Sequence, residues 1–288
     1  MAAEFNKDFA PQSLGTWMWD VTDILFPEKS ITFLTEHHVT EVYLSYSRAM
    51  PKAKYRAFIK ACGAQNIRVS LIGAEAEWAL PAGQKAYDSY LKWFEEYQAG
   101  CETAAEKFYG LHMDVEPHQL PEWLTEKASV INGYVAFLQK AREVCNRLGS
   151  SLEADIPFWF DGFTVSLEGK DMLLCEAVIR LCDATLLMSY RDNAGDVLAC
   201  GETELPISKA LAKKLILAVE TGKIYESINI TFHHLGTKAL YRELNKLNDL
   251  VAVHPNAGQV GYAIHYFGSW KNLPEEGHPK GPDYPYND

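Results

Sequence analysis

The 288-residue sequence predicts a single (β/α)8 barrel. Three observations carry that prediction. Eight short apolar or β-branched runs recur along the chain, and helix-like stretches separate them. Most of the runs are continuously apolar, as strands of a parallel sheet covered on both faces must be. Eight repeats also close naturally into a barrel. A doubly wound open sheet is the weaker alternative. No Gly-rich phosphate loop follows a strand, and the first strand runs into Asp20-Val21-Thr22-Asp23.

The expected strands are 14–19, 41–46, 67–72, 109–115, 151–156, 184–189, 215–220 and 260–266. The expected helices are 29–38, 52–65, 82–107, 121–148, 171–182, 202–213 and 237–250. Pro121, Glu122, Arg147 and Gly149 bracket the fourth helix as a first-turn proline and a terminal glycine should. The His/Asn-rich stretch 222–236 is expected to be a loop above the barrel. The tail 273–288, rich in Pro, Gly and Asp, is expected to pack as coil over it. No repeat or Pro-rich linker divides the chain, so residues 1–288 are expected to form one domain.

Composition narrows the function. With 27 Lys and Arg against 38 Asp and Glu, the formal net charge is −11. No basic cluster with interleaved aromatics occurs, so nucleic acid is not an expected partner. No apolar run approaches the ~20 residues that span a bilayer. The N-terminal residues lack the pattern of a signal peptide. Cys62, Cys101, Cys145, Cys175, Cys182 and Cys200 form no CxxC pair and fall mostly in helical patterns. Reduced thiols and a cytoplasmic protein are therefore the expectation, and a secreted form with its signal removed is the alternative.

Active sites of such barrels lie at the C-terminal ends of the strands. The fourth strand ends His112-Met113-Asp114-Val115-Glu116-Pro117. A period of two puts Asp114 and Glu116 on one side of it. Two carboxyls so close do not both ionise easily, and a raised pKa suits a general acid. The other strand ends offer Trp19 and Asp20, Glu75 and Trp78, Asp155 and Trp159, Met188, Tyr190 and Arg191, Glu220, and His265 and Trp270. Aromatic faces stack on the C–H faces of a pyranose and carboxylates bind its hydroxyls, so a carbohydrate is the expected substrate. No HxH or HExxH occurs, and neither a metal nor a cofactor is expected.

The Asp114-x-Glu116 end resembles the Asp-x-Glu of family-18 chitinases and endo-N-acetylglucosaminidases, and that of family-25 lysozymes. Met188-Ser189-Tyr190 resembles the Met-x-Tyr of the family-18 sixth strand, and Trp270 its floor tryptophan. The resemblance implies Glu116 as the acid that protonates the glycosidic oxygen. It implies Asp114 as the residue that steers the substrate acetamido group, and Tyr190 as its support while that oxygen attacks C1. The pattern departs at Tyr109 and His112, where aspartates are expected, and at Arg191, where Asp is usual. Val115-Glu116-Pro117 and Val219-Glu220-Thr221 are similar instead to the two glutamate sites of clan-A retaining glycosidases. That second resemblance implies Glu220 as a nucleophile about 5 Å from Glu116. A sugar-binding barrel without activity and a metal-dependent barrel hydrolase are the readings from other classes.

Overall fold

In the computed structural model, residues 9, 11–224 and 228–280 are described. Eight parallel strands close into a barrel in the order β1-β10-β9-β8-β5-β4-β3-β2. They are β1 (Leu14–Met18), β2 (Glu41–Leu44), β3 (Arg68–Gly73), β4 (Gly110–Met113), β5 (Ser151–Pro157), β8 (Ala184–Met188), β9 (Lys214–Glu220) and β10 (Gln259–His265). Each expected strand is present to within two or three residues. The main covering helices are α1 (Pro27–Glu36), α2 (Lys52–Gly63), α3 (Gln84–Ala99), α5 (Lys127–Leu148), α6 (Leu174–Leu181), α8 (Glu204–Ala210) and α9 (Gly236–Val253).

Four boundaries differ from the expectation, each for a local reason. The helix expected over 82–107 stops at Ala99, where Gln98 turns back to bond the backbone N–H and C=O of Phe108. The helix expected over 121–148 is broken at Glu126 into α4 (Glu122–Thr125) and α5. The segment before the sixth helix is a hairpin of β6 (Thr164–Leu167) and β7 (Lys170–Leu173). Its two-residue turn, Glu168 and Gly169, has positive φ at both positions, the mirror-image geometry that joins twisted strands. A six-residue helix, α7 (Ala194–Ala199), capped by Asn193 accepting from the Asp196 N–H, is too short for a periodic pattern to reveal. Gly149 ends α5 at φ +64°, as a terminal glycine should. Of the loop expected over 222–236, residues 225–227 lie outside the described residues, as do 281–288 of the tail. Residues 228–230 form a 3-10 turn.

Strand alternation sorts the side chains into two layers. Outward residues such as Leu71, Leu111, Met113, Leu152, Leu187, Leu217 and Ile264 pack under the helices in the main core. The inner layer is smaller and mixed. Trp17, Tyr43, Ile72, Leu186, Ile216 and Ala263 supply its apolar part. Buried Glu41, His112, Glu153, Asp155 and Glu220 supply charge. Gly15 makes this possible at one point, since a Cβ there would meet the Tyr43 hydroxyl at 2.5 Å. At the barrel floor Glu41 accepts from Ser13 at 3.2 Å and pairs with both Arg68 and Lys214. Burial works against its charge, but Lys214 and Arg68 outweigh it and hold the carboxyl below its usual range. All six cysteines are free, four of them buried. Among the described residues no helix is long and apolar enough to cross a membrane.

Candidate active site

β4 ends at Met113, and Pro117 opens a 3-10 turn after Asp114, Val115 and Glu116. Gly110 lets β4 run against β5, since a Cβ there would meet the Ser151 carbonyl oxygen at 2.1 Å. The Asp114 N–H still donates to the Gly73 carbonyl at 2.9 Å, so strand geometry continues past Met113. Leu111, Met113 and Val115 belong to the outer core, which leaves His112, Asp114 and Glu116 on the inner side.

The three inward side chains have different surroundings. His112 is fully buried between two acids of β5. Its Nε2 donates to Asp155 Oδ2 at 2.9 Å, and its Nδ1 lies 3.4 Å from Glu153 Oε2. Burial opposes a charge on the ring, but Asp155 and Glu153 outweigh it and push the pKa up to about 10. The ring is therefore an imidazolium at neutral pH, stacked on Tyr43 at 3.8 Å. Trp17 Nε1 also donates to Asp155 Oδ2, at 2.9 Å. Asp155 Oδ1 is buried with no fixed donor, and Asp114 is a further group in hydrogen-bonding contact with Asp155. Burial, then Asp155 and Glu116, hold the Asp114 carboxyl well above its ordinary range. Glu116 is half-buried at the mouth, with His118 Nε2 at 3.2 Å.

Tyr190 stands with Met188 one strand beyond β5, both inward by the alternation of β8. Burial and the surrounding Glu220, Asp114, Asp155 and Glu116 keep its phenol protonated. Glu220 pairs with His265, whose Nδ1 is 2.6 Å from Oε2. Arg191 points away, donating to the Tyr190 carbonyl at 2.7 Å and covering the Phe158 ring. A cleft of about 950 Å³ opens past the ends of β1, β2 and β3, lined by Trp19, Tyr46, Arg48, Ile72, Glu75 and Trp78, and by Gly73, whose carbonyl accepts the Asp114 N–H. A hollow of about 410 Å³ at the other end of β3 and β4, near Arg68 and Tyr109, is remote from these carboxyls.

The structure thus brings Asp114, Glu116, Asp155, Met188, Tyr190, Glu220, His265 and Trp19 to one mouth. Trp159 packs beside His118, its ring centroid 4.9 Å away. Trp78 is buried against Tyr87 and Tyr90 in the cleft wall. Three expected binding residues are placed elsewhere: Arg191, on the Tyr190 carbonyl and the Phe158 ring, Asp20 and Trp270. Asp20 is exposed and caps a 3-10 turn, accepting from Thr22, because it alternates away from Trp19. Trp270 is only 1% exposed, donates to the Tyr241 hydroxyl and packs on Phe33, so it is a wall residue and not a sugar platform. Trp17, His112 and His118 are the participants the sequence reading did not select. The period of two that pairs Asp114 with Glu116 also pairs Trp17 with Trp19 and adds His112. Among the described residues no cluster of three or more His, Cys, Asp or Glu side chains has metal-binding geometry.

No protein-family model matches the chain, and no curated protein does. Solved structures match it. A sugar phosphate isomerase/epimerase from Parabacteroides distasonis is 12% identical, with a TM-score of 0.51 over 94% of this chain and 93% of that one. D-psicose 3-epimerase from Clostridium cellulolyticum is 9% identical, with a TM-score of 0.51 over 91% and 89%. The likeness is one of fold. Group II chitinase catalytic domain 2 from Ostrinia furnacalis is also among the matches, at 13% identity and a TM-score of 0.39. That match covers 62% of this chain and spans half the length of the chitinase chain.

Proposed function

We propose that the chain is one barrel domain that hydrolyses glycosidic bonds in a glycan or glycoconjugate containing N-acetylhexosamine. Glu116 is the general acid/base. The observation that carries this reading is the inward pair on β4. Asp114 is held in its protonated form by burial and by Asp155, while Glu116 beside it reaches the open mouth. A protonated carboxyl beside a second one that faces the substrate is a pair that acid–base chemistry on a glycoside can use.

In this mechanism Glu116 gives its proton to the glycosidic oxygen as the bond from that oxygen to C1 breaks. The acetamido oxygen of the same sugar forms the new bond to C1. The Asp114 O–H donates to Asp155 while its other oxygen accepts the acetamido N–H, and the Tyr190 hydroxyl donates to the acetamido oxygen. Water then adds to C1, the acetamido bond breaks, and the water proton returns to Glu116. The surroundings of Glu220 support the acetamido route over attack by a glutamate, because donors already occupy both of its oxygens.

The test is Glu116→Gln on a substrate with a poor leaving group. Turnover is expected to fall by ~10²–10⁴-fold with binding retained. More than about half of the wild-type rate would remove Glu116 from the mechanism.

A further inference from the structure

A carboxylate at the end of the seventh barrel strand suggests a nucleophile. The contacts of Glu220 suggest a different task. Its side chain is 4% exposed. Oε1 accepts the backbone N–H groups of Thr221, at 2.8 Å, and of Gly222. Oε2 accepts the Nδ1–H of His265 at 2.6 Å. An attacking carboxylate needs a lone pair aimed at C1, and here three donors hold the two oxygens.

With its proton on Nδ1, His265 presents a bare Nε2. That nitrogen accepts the indole N–H of Trp19 at 3.0 Å. The N–H groups therefore run in one direction across three adjacent strands, from Trp19 after β1 to His265 on β10 to Glu220 on β9. Trp19 is half-buried and forms part of the cleft wall.

We infer that Glu220 and His265 are a relay that sets the orientation of Trp19 as a sugar-stacking wall of the cleft. Glu220 is then a positioning residue and not the nucleophile. The inference rests on the glycosidase reading for what Trp19 stacks on, but the relay itself does not. The polarity of the chain gives a sharp variant. In Glu220→Gln the two backbone N–H groups still need the amide oxygen. The amide NH₂ then faces Nδ1, which must accept. The His265 proton moves to Nε2, where it meets the Trp19 N–H. Two donors face each other and the indole loses its seat.

The experiment follows the indole proton of Trp19 by NMR, assigned with Trp19→Phe, in wild type and Glu220→Gln. Calorimetry with a soluble N-acetylglucosamine oligomer is run alongside, in a Glu116→Gln background. The relay predicts a downfield Trp19 resonance that moves upfield in Glu220→Gln. It predicts affinity lower by about tenfold, the scale of one lost hydrogen bond and the contact it orients. With Glu116 intact, kcat should change by less than about threefold. It also predicts that Glu220→Gln costs no further affinity once Trp19 is Phe, since coupled residues are not additive. An unmoved resonance, or a cost that persists in the Trp19→Phe background, overturns the relay. So does a loss of kcat beyond about a thousandfold with affinity unchanged, the mark of a lost nucleophile. If Glu220→Gln does not fold, His265→Leu makes the same test by removing the acceptor of Trp19. If the wild-type protein binds none of the oligomer, the N-acetylhexosamine reading fails while the indole resonance still tests the relay.

Discussion

Asp114 gives the clearest case of a residue whose chemistry is set by neighbours rather than by type. Its carboxyl titrates well above the ordinary range, first through burial, then through Asp155 and Glu116. The sign of the linkage follows. Below the unfolded-state pKa both states hold the proton and the site costs nothing. As pH rises through that value the unfolded chain ionises while the folded one does not, so stability falls until the folded pKa is passed. Asp114→Asn keeps the shape and a donor toward Asp155 but cannot ionise. It should match wild type in thermal stability near pH 4 and exceed it near pH 8, while activity is lost. Equal melting curves at both pH values would show that Asp114 ionises freely. The pair Asp114 and Glu116 was legible because alternation is a local rule. The identity of the group that raises Asp114 was not, because Asp155 lies 41 residues away on the next strand and only barrel closure brings the two together.

At the level of elements, all eight barrel strands could be read from apolar runs, since burial on both faces leaves a strong, local signal. The hairpin Thr164–Leu173 was missed although its first strand alternates in burial, because its two short arms flank an ordinary-looking Glu-Gly pair. Roles of aromatics were the least legible. Trp19 and Trp270 look alike in sequence, yet Trp19 continues the inward register of Trp17, while Trp270 lies behind the wall on a short helix, donating to Tyr241 of α9 and packing on Phe33 of α1. The end of α5 provides a test of a well-read boundary. Gly149 sits at φ +64° with open space where a Cβ would be. Gly149→Ala should therefore cost only the backbone term, about 1 kcal/mol. Differential scanning calorimetry should show a loss of roughly 2–4 °C. A loss several times larger would mean that α5 depends on this residue for more than its turn.

Across the whole molecule, the barrel interior is built as a polar column capped by aromatic rings. It runs from the Glu41 cluster at the floor, through Tyr43 and His112, to Asp155 and Asp114 at the mouth. Removing Glu41 leaves Arg68 and Lys214 facing each other with a buried gap between them. Both cations are partly exposed, so Glu41→Ala should cost about 2–3 kcal/mol, less than a fully buried pair. Urea denaturation should show it at pH 7. Because the folded Glu41 pKa is lowered, wild type keeps this contribution above the unfolded pKa and loses it as pH falls through the folded one, so the two proteins should converge in acid. A gap that stays constant into acid would assign the loss to packing. The contact between Gly15 and Tyr43 carries a further consequence, for how such a chain can drift over generations. Position 15 has no room for a methyl group while a tyrosine crosses the barrel at 43. A lineage that acquires alanine at 15 must first have shortened 43. Glu41 would then have lost the hydroxyl that donates to it, and His112 the ring on which it stacks. Changes inside this barrel are therefore ordered and arrive in sets, and related sequences should keep or abandon glycine, tyrosine and histidine at these three positions together.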